Sequence, residues 1–154
     1  MKIPIAKPSS ELSDIKNFES RFINEVNKGA YIGGENVASY ENDLKKFLNV
    51  KYVASLNSGT DALVLSLFSM GIRPGDEIIL PSFTYFATAE AVMHVGAIPV
   101  FADVDKESYC ISANTIEKLI TKKTRCILPV HLYGYDSDIE NIVKLAKNYN
   151  LVVL

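Results

Sequence analysis

The 154-residue sequence predicts an α/β fold, in which helices cover both faces of a mostly parallel sheet to give a three-layer α/β/α arrangement. From Tyr52 onward, short apolar segments alternate with segments of helical periodicity, which is the pattern of successive β-α-β units. Segments such as Glu77–Leu80 and Cys126–Val130 are apolar without alternation, as expected of strands that are covered on both faces.

The N-terminal third of the chain predicts two helices ahead of this sheet. Apolar residues recur at helical spacing from Ser10 to Lys28, with Ser10 in the N-cap position. The segment Gly29–Gly34 interrupts this pattern, because two adjacent glycines allow backbone conformations that other residues avoid. A second helix is predicted over Val37–Leu48. We therefore expect an N-terminal helical segment over residues 1–50, followed over residues 51–154 by the first part of a sheet-bearing domain.

The remaining elements follow in order along the chain. Strands are expected at residues 52–56, 77–80, 98–102, 125–130 and 151–154, and the helices between them at residues 60–70, 85–95, 113–121 and 137–149. Glycine and proline mark the joins. Because the last apolar segment coincides with Leu154, we expect the chain to be a truncated piece of a longer domain; a true C-terminal strand docked in the sheet is the alternative.

Composition and charge narrow the class of protein. Hydrophobic residues make up 48% of the chain and charged residues 22%, which is typical of a globular protein, and no apolar run reaches the roughly 18 residues of a membrane span. A net charge of −2 gives no electrostatic reason to expect nucleic acid or a membrane surface as partner. Cys110 and Cys126 have no CxxC spacing and no histidine cluster beside them, so we expect buried or free thiols in a reducing compartment, the cytoplasm, and no metal site.

The segment Asn57–Asp61 joins the first predicted strand of the sheet to a helix. A small-residue turn at a helix N-terminus offers free N–H groups, hydroxyl donors and the positive end of the helix dipole, which together suit a phosphate. Serine, threonine and aspartate are equally common as plain helix N-caps. This segment alone therefore leaves a phosphate site and an ordinary cap open.

Two further loops lie where ligands bind in such sheets, at the carboxyl ends of strands. In one, Tyr85 is expected at the first turn of a helix, where its ring could lie against a flat ligand. Alternatively Phe83, Tyr85 and Phe86 belong to the core, which is the commoner outcome for a run of aromatic residues. In the other, His131 is an active-site donor or a structural histidine, and on its own the structural role is favoured.

Other site types receive less support. Neither a G-x-G-x-x-G nor a Walker-type motif is present, which disfavours a plain nucleotide-binding Rossmann domain. Asp103 and Asp105 would suit a metal site or a glycosidase pair, but their position just after a strand is more typical of a solvated turn.

Several segments resemble, in order and spacing, those of one family. They are Asn57–Leu63, Gly75–Thr88, Gly96–Asp105, Pro129–Gly134 and, at the N-terminal end, Tyr31–Glu41. The family is the DegT/DnrJ/EryC1/StrS family of pyridoxal-phosphate (PLP) sugar aminotransferases, which have the type I aspartate-aminotransferase fold. The resemblance covers essentially the whole chain, and it implies that residues 51–154 are the N-terminal part of a PLP-binding large domain.

The resemblance also implies a set of site residues. Gly59, Thr60 and Asp61 would hold the cofactor phosphate, Thr60 through its hydroxyl and N–H and Asp61 through its N–H. The carboxylate of Asp61 would then point away or cap the helix, because it repels a phosphate. Tyr85 would stack on the pyridine ring. More weakly, the resemblance places three residues near the sugar-nucleotide substrate: Tyr31, Gly33 and His131.

The function implied for the full-length protein is transfer of an amino group, from glutamate, to a nucleotide-linked keto-sugar by a homodimer. In the family, the strand matching residues 151–154 is followed by an aspartate that binds the pyridine nitrogen and later by the Schiff-base lysine. Both positions lie beyond Leu154, so no catalytic residue is assigned, and this chain alone is expected to be inactive. Two alternatives remain: a lysine-free sugar dehydratase of the same family that uses PLP or its amine form, and a non-catalytic phosphate-binding or interaction module.

Overall fold

The computed structural model describes residues 17–29 and 31–154. These residues form two compact units, one ending at Ser55 and the other comprising residues 56–154. No helix in the described part of the chain is both long enough and apolar enough to cross a membrane.

The N-terminal unit contains two helices, α1 (Phe18–Lys28) and α2 (Glu35–Leu48). Helix α1 ends at Gly29, whose φ of +67° is a left-handed conformation that glycine adopts at little cost. The predicted start of this helix at Ser10 lies outside the described residues. Helix α2 begins two residues earlier than predicted.

The prediction of a strand over residues 52–56 is wrong. Within the described chain this segment pairs with no strand, and Tyr52 and Leu56 are exposed. A strand needs the backbone groups of a neighbouring strand to complete its hydrogen bonds, and apolar sequence alone cannot supply that neighbour. The N–H of Ser55 instead donates to the carboxylate of Glu41 on α2, at 2.7 Å.

The C-terminal unit alternates helices and strands as predicted. Its elements are α3 (Gly59–Ser69), β1 (Glu77–Pro81), α4 (Ala87–His94), β2 (Ile98–Ala102), α5 (Ala113–Glu117), β3 (Thr124–Ile127), a 3-10 helix (Leu132–Gly134), α6 (Ile139–Tyr149) and β4 (Val152–Val153). The strands form one four-stranded sheet in the order β2-β1-β3-β4, and every pair is parallel. This confirms the α/β fold with a mostly parallel sheet.

Successive side chains of β1 divide between the two faces of the sheet. Ile78 and Leu80 belong to a core cluster with α3 and α4, whereas Ile79 belongs to a second cluster with α5 and α6. The helix residues of these clusters are Leu67, Ala89 and Val92 on the first face and Ile116, Ile142, Leu145 and Ala146 on the second. Helices therefore cover both faces of the sheet, in the predicted three-layer arrangement.

Three element boundaries differ from the prediction for local reasons. Strand β3 ends at Ile127, before Pro129, which has no N–H to donate to a ladder. Helix α5 ends at Glu117, because the N–H of Leu119 turns back to the carbonyl three residues earlier. Helix α4 begins at Ala87 rather than at residue 85, which leaves Tyr85 in the preceding loop.

Candidate functional site

The N-termini of α3 and α4 lie at the same edge of the sheet. Helix α4 follows β1 and so begins at the carboxyl edge of the strands. Helices α3 and α4 pack on one face, and the segments that follow them meet just before β1, where the N–H of Gly75 donates to the carbonyl of Gly96 at 3.1 Å. The turns that precede the two helices are therefore brought to one edge, where parallel sheets bind ligands.

The turn before α3 is a capped helix N-terminus. Ser58 is the N-cap, and its Oγ accepts the N–H of Asp61 at 3.0 Å. The Ser58 hydroxyl in turn donates to the carboxylate of Asp61 at 2.9 Å. The cap interpretation is thus confirmed for Ser58 and Asp61. In this structure the N–H of Asp61, which the resemblance offers to a phosphate, is used within the turn.

Three other donors of the same turn have no partner among residues 56–154: the N–H groups of Gly59 and Thr60 and the Thr60 hydroxyl. Apart from its chain neighbours and the backbone of its own helix, no atom of the described residues lies within 4 Å of the position that a Cβ on Gly59 would take. Free N–H groups at the positive end of a helix dipole, with a hydroxyl beside them, are the donor set that a phosphate requires. The residues present at this turn therefore fit the phosphate of PLP.

The second turn carries Tyr85, which is 79% exposed and lies two residues before α4. Phe83 and Phe86 are exposed as well, so in the described structure none of these three rings is a core residue. The loop itself is held by backbone bonds, since the N–H of Ser82 donates to Ala102 O at 2.9 Å and that of Thr88 to Tyr85 O at 3.0 Å. An exposed phenol on a fixed loop is available to a flat ligand.

Tyr109 lies beside this loop although nothing in the residue order singles it out. Its ring packs on that of Phe83, with the centroids 5.7 Å apart and the planes tilted by 49°. Tyr109 also has a φ of +56°, which is unusual for a bulky residue. Neither the contact nor the backbone conformation can be read from composition or periodicity.

The structure places His131 in the loop that follows β3, also at the carboxyl edge. Its Nδ1 accepts the N–H of buried Ser137 at 3.1 Å, so the proton of the neutral ring is on Nε2. A carboxylate oxygen of Asp136 lies 3.3 Å from the same Nδ1. The hydrogen bond from Ser137 holds His131 in this loop, in keeping with the structural role favoured from the sequence, and its half-exposed ring lies at the edge of the sheet. The proximity of His131 to a sugar-nucleotide remains a prediction.

Tyr31 and Gly33 belong to the N-terminal unit. The hydroxyl of Tyr31 donates to Val26 O at 3.0 Å, and its ring is 74% exposed. Gly33 has a φ of +68° in the turn between α1 and α2. Their proximity to a sugar-nucleotide remains a prediction.

Asp105 organises the loop after β2. Its Oδ1 accepts the N–H groups of Glu107 and Ser108, each at 3.0 Å. The N–H groups of Ser108 and Glu107 hold the pKa of Asp105 below its usual range. The predicted solvated turn is confirmed, and the described residues contain no cluster of three His, Cys, Asp or Glu side chains able to hold a metal.

The two cysteines are buried free thiols, as predicted. Burial raises the pKa of the Cys126 thiol to about 12. Cys110 lies under the carboxyl-edge loops, with its Sγ 3.5 Å from Val130 O and 3.7 Å from Tyr135 O.

Comparison with known proteins shows the family of the chain. The family model of the DegT/DnrJ/EryC1/StrS aminotransferase family matches residues 13–154. The chain belongs to this family. Aminotransferases of the family depend on PLP, and a related structure, ntda from Bacillus subtilis, contains the amine form of the cofactor (PMP). That structure is 35% identical to this chain, with a TM-score of 0.88, and covers 99% of it.

Curated relatives of this DegT-family chain include two sugar-modifying enzymes. GDP-perosamine synthase of Escherichia coli O157:H7 is 39% identical over 99% of the chain. The 3-oxo-glucose-6-phosphate:glutamate aminotransferase of Bacillus subtilis is 39% identical over 82% of the chain. The matched regions are 41% and 29% of the lengths of these two relatives, and 35% of the solved ntda chain.

Proposed function

We propose that the protein containing this chain is a PLP-dependent aminotransferase that moves an amino group from glutamate to a nucleotide-linked keto-sugar. In this proposal, residues 56–154 form the N-terminal part of the cofactor site, and the complete protein is a homodimer. The observation that carries it is the set of donors on Gly59 and Thr60 that have no partner among residues 56–154, at the same sheet edge as the exposed Tyr85. Family membership supports the reaction class, and the names of two relatives support a GDP-linked sugar product and glutamate as donor.

The phosphate is held by Gly59 and Thr60. Two N–H groups and a hydroxyl donate to its oxygens, and the helix dipole of α3 adds a favourable field. Hydrogen bonds to a charged group are each worth about 1.5–3 kcal/mol, so this turn supplies much of the affinity for the cofactor. The negative charge of Asp61 is hydrogen-bonded to Ser58, which engages this carboxylate in the cap of its own helix.

The ring is held by Tyr85. A phenol against the pyridine plane would fix the orientation of the cofactor, while the Tyr85 hydroxyl would stay free for solvent or substrate. Aromatic contacts of this kind add about 0.5–1.5 kcal/mol. The bound cofactor supplies an electron sink for the amino-group exchange. The residues of this chain bind the cofactor and orient it; they move no proton in this scheme.

Cofactor titration of the protein made from the complete coding sequence tests the phosphate site. Thr60→Ala removes the side-chain donor, and we expect the Kd for PLP to rise at least about tenfold, since one hydrogen bond to a charged group is lost. Thr60→Ser retains the hydroxyl and is the matched control, with a Kd near that of the wild type. Equal Kd values for all three proteins would remove Thr60 from the site.

The reaction is tested with glutamate and a panel of GDP- and UDP-linked keto-sugars, by following the release of 2-oxoglutarate. We expect 2-oxoglutarate and amino-sugar in equal amounts. Sugar that loses water without consuming glutamate would identify the dehydratase alternative. A purified protein that takes up no PLP and transfers no amino group to any of these substrates would refute the proposed function.

A further inference from the structure

Tyr109 adopts a backbone conformation that its side chain disfavours. Five non-glycine residues of the described chain have positive φ: three asparagines, a residue type that tolerates this conformation, and two tyrosines, Tyr109 and Tyr133. Asn49 and Asn150 stand at helix C-caps, where the left-handed conformation is common. Tyr109, with a φ of +56°, is a bulky residue for which this conformation is unfavourable. Strained residues of this kind persist only where the surroundings fix them, and they concentrate near functional sites.

The loop around Tyr109 supplies that restraint. The N–H of Tyr109 donates to the carbonyl of Asp105 at 2.9 Å, and the N–H of Asp105 donates to the carbonyl of Cys110 at 3.0 Å. The Asp105 carboxylate also accepts the N–H groups of Glu107 and Ser108. The loop is therefore closed on itself by both backbone and side-chain bonds.

A second tie links this loop to the loop that follows β3. Buried Cys110, the residue after Tyr109, has its Sγ 3.5 Å from the carbonyl of Val130 and 3.7 Å from that of Tyr135. The position of the Tyr109 backbone is thus set from two directions.

The consequence of this conformation is the contact between Tyr109 and Phe83. The two rings meet in a tilted geometry, with centroids 5.7 Å apart, which is favourable for aromatic pairs. Phe83 stands two residues before Tyr85 in the loop between β1 and α4. No other pair of rings within residues 56–154 stacks or tilts in this way.

We propose that Tyr109 is a positioning residue of the cofactor site: its ring braces Phe83 and thereby fixes the loop that presents Tyr85 to the pyridine ring. This inference rests on the proposed function. Tyr109 itself touches neither cofactor nor substrate in this scheme. Its strained backbone is the means by which the loop after β2 reaches the loop after β1.

The first test compares variants of Tyr109 in the complete protein. Tyr109→Gly removes the ring and accepts a positive φ freely, so the loop keeps its path. We expect its Kd for PLP to rise about two- to tenfold and the visible circular dichroism of the bound cofactor to weaken, because the cofactor ring is less well oriented. Tyr109→Phe keeps the ring, and its Kd for PLP and its circular dichroism should equal those of the wild type. Asn150→Gly places glycine at a left-handed position on the C-cap of α6, and this control changes neither.

The second test asks whether Tyr109 acts through Phe83. In a double-mutant cycle, Phe83→Ala raises the Kd for PLP, and adding Tyr109→Gly to it has no further effect. Additive effects, or a Tyr109→Gly protein with wild-type Kd and circular dichroism, would overturn the inference while leaving the proposed function intact. If Tyr109→Gly does not fold, Tyr109→Asn tolerates the same φ and is judged by the same two quantities. Wild-type protein that takes up no PLP would overturn both proposals.

Discussion

At the scale of single residues, the four residues Ser58–Asp61 of the turn before α3 have two different roles, helix capping and the presentation of hydrogen-bond donors. Ser58 and Asp61 are hydrogen-bonded to each other and cap the helix, whereas the donors of Gly59 and Thr60 have no partner within residues 56–154. The division matters because a helix N-terminus has more N–H groups than one cap can satisfy. The surplus is what makes this turn able to bind an anion.

Asp105 gives a prediction for the pH dependence of stability. Its pKa is lowered in the folded state, chiefly by the N–H groups of Ser108 and Glu107, so the ionised form stabilises the fold. The difference in unfolding free energy between wild type and Asp105→Asn should be full above about pH 4, the ordinary range of aspartate, and should vanish as the pH falls through the lower pKa of the folded state. Denaturant unfolding at a series of pH values measures it. A difference that persists unchanged into strong acid would contradict this assignment.

Part of the proposed site is predicted from the sequence. Gly59, Thr60 and Tyr85 are named because their segments resemble those of the DegT/DnrJ/EryC1/StrS family. From the residues alone, an ordinary cap remains open for the turn and a core position is favoured for Tyr85. The use of the Asp61 N–H within its own turn depends on the rotamer of Ser58, which the order of residues does not determine. Tyr109 depends on a single φ angle and escaped prediction for the same reason.

At the scale of elements, the cap of α3 connects helix stability to the site. Ser58→Ala removes the acceptor of the Asp61 N–H, and the expected loss of unfolding free energy is about 1 kcal/mol. Ser58→Thr keeps a capping oxygen and should lose much less. Denaturant unfolding of the two variants decides the matter, and a Ser58→Ala protein as stable as the wild type would show that this cap contributes little.

The elements themselves were largely predictable, because their periodicity reflects burial on one or two faces. Strand β1 is apolar and buried from Ile78 to Pro81, as its pattern indicates, and only its first residue, Glu77, is charged and partly buried. The segment at 52–56 has a similar apolar pattern but pairs with no strand in the described chain. Its local sequence therefore predicted a strand that the structure does not contain. Tyr85 was expected inside α4 and lies before it, a shift of two residues that leaves the phenol on a loop.

At the scale of the whole C-terminal unit, the sheet is the support for the site. Its two faces are closed by separate clusters, and Ile79 is fully buried in the one that contains α5 and α6. The loop with Tyr85 follows strand β1, and the turn with Gly59 and Thr60 begins helix α3, which packs on the sheet. The packing of the core therefore fixes the positions of both segments.

Substitution of Ile79 tests the contribution of this core to stability. Ile79→Ala should lower the unfolding free energy by about 2–5 kcal/mol, whereas Ile79→Val, which removes one methyl group, should cost about 0.5–1.5 kcal/mol. Thermal or denaturant unfolding of the complete protein measures both. If the alanine variant costs no more than the valine variant, Ile79 does not occupy the close-packed position described.

The most direct test of the account is a crystal structure of the complete protein with PMP. The account predicts the phosphate at the N-terminus of α3, within hydrogen-bond distance of the Gly59 and Thr60 N–H groups and the Thr60 hydroxyl, with the Tyr85 ring against the pyridine plane. A cofactor phosphate bound at any other element, with the donors of this turn still turned to solvent, would contradict it.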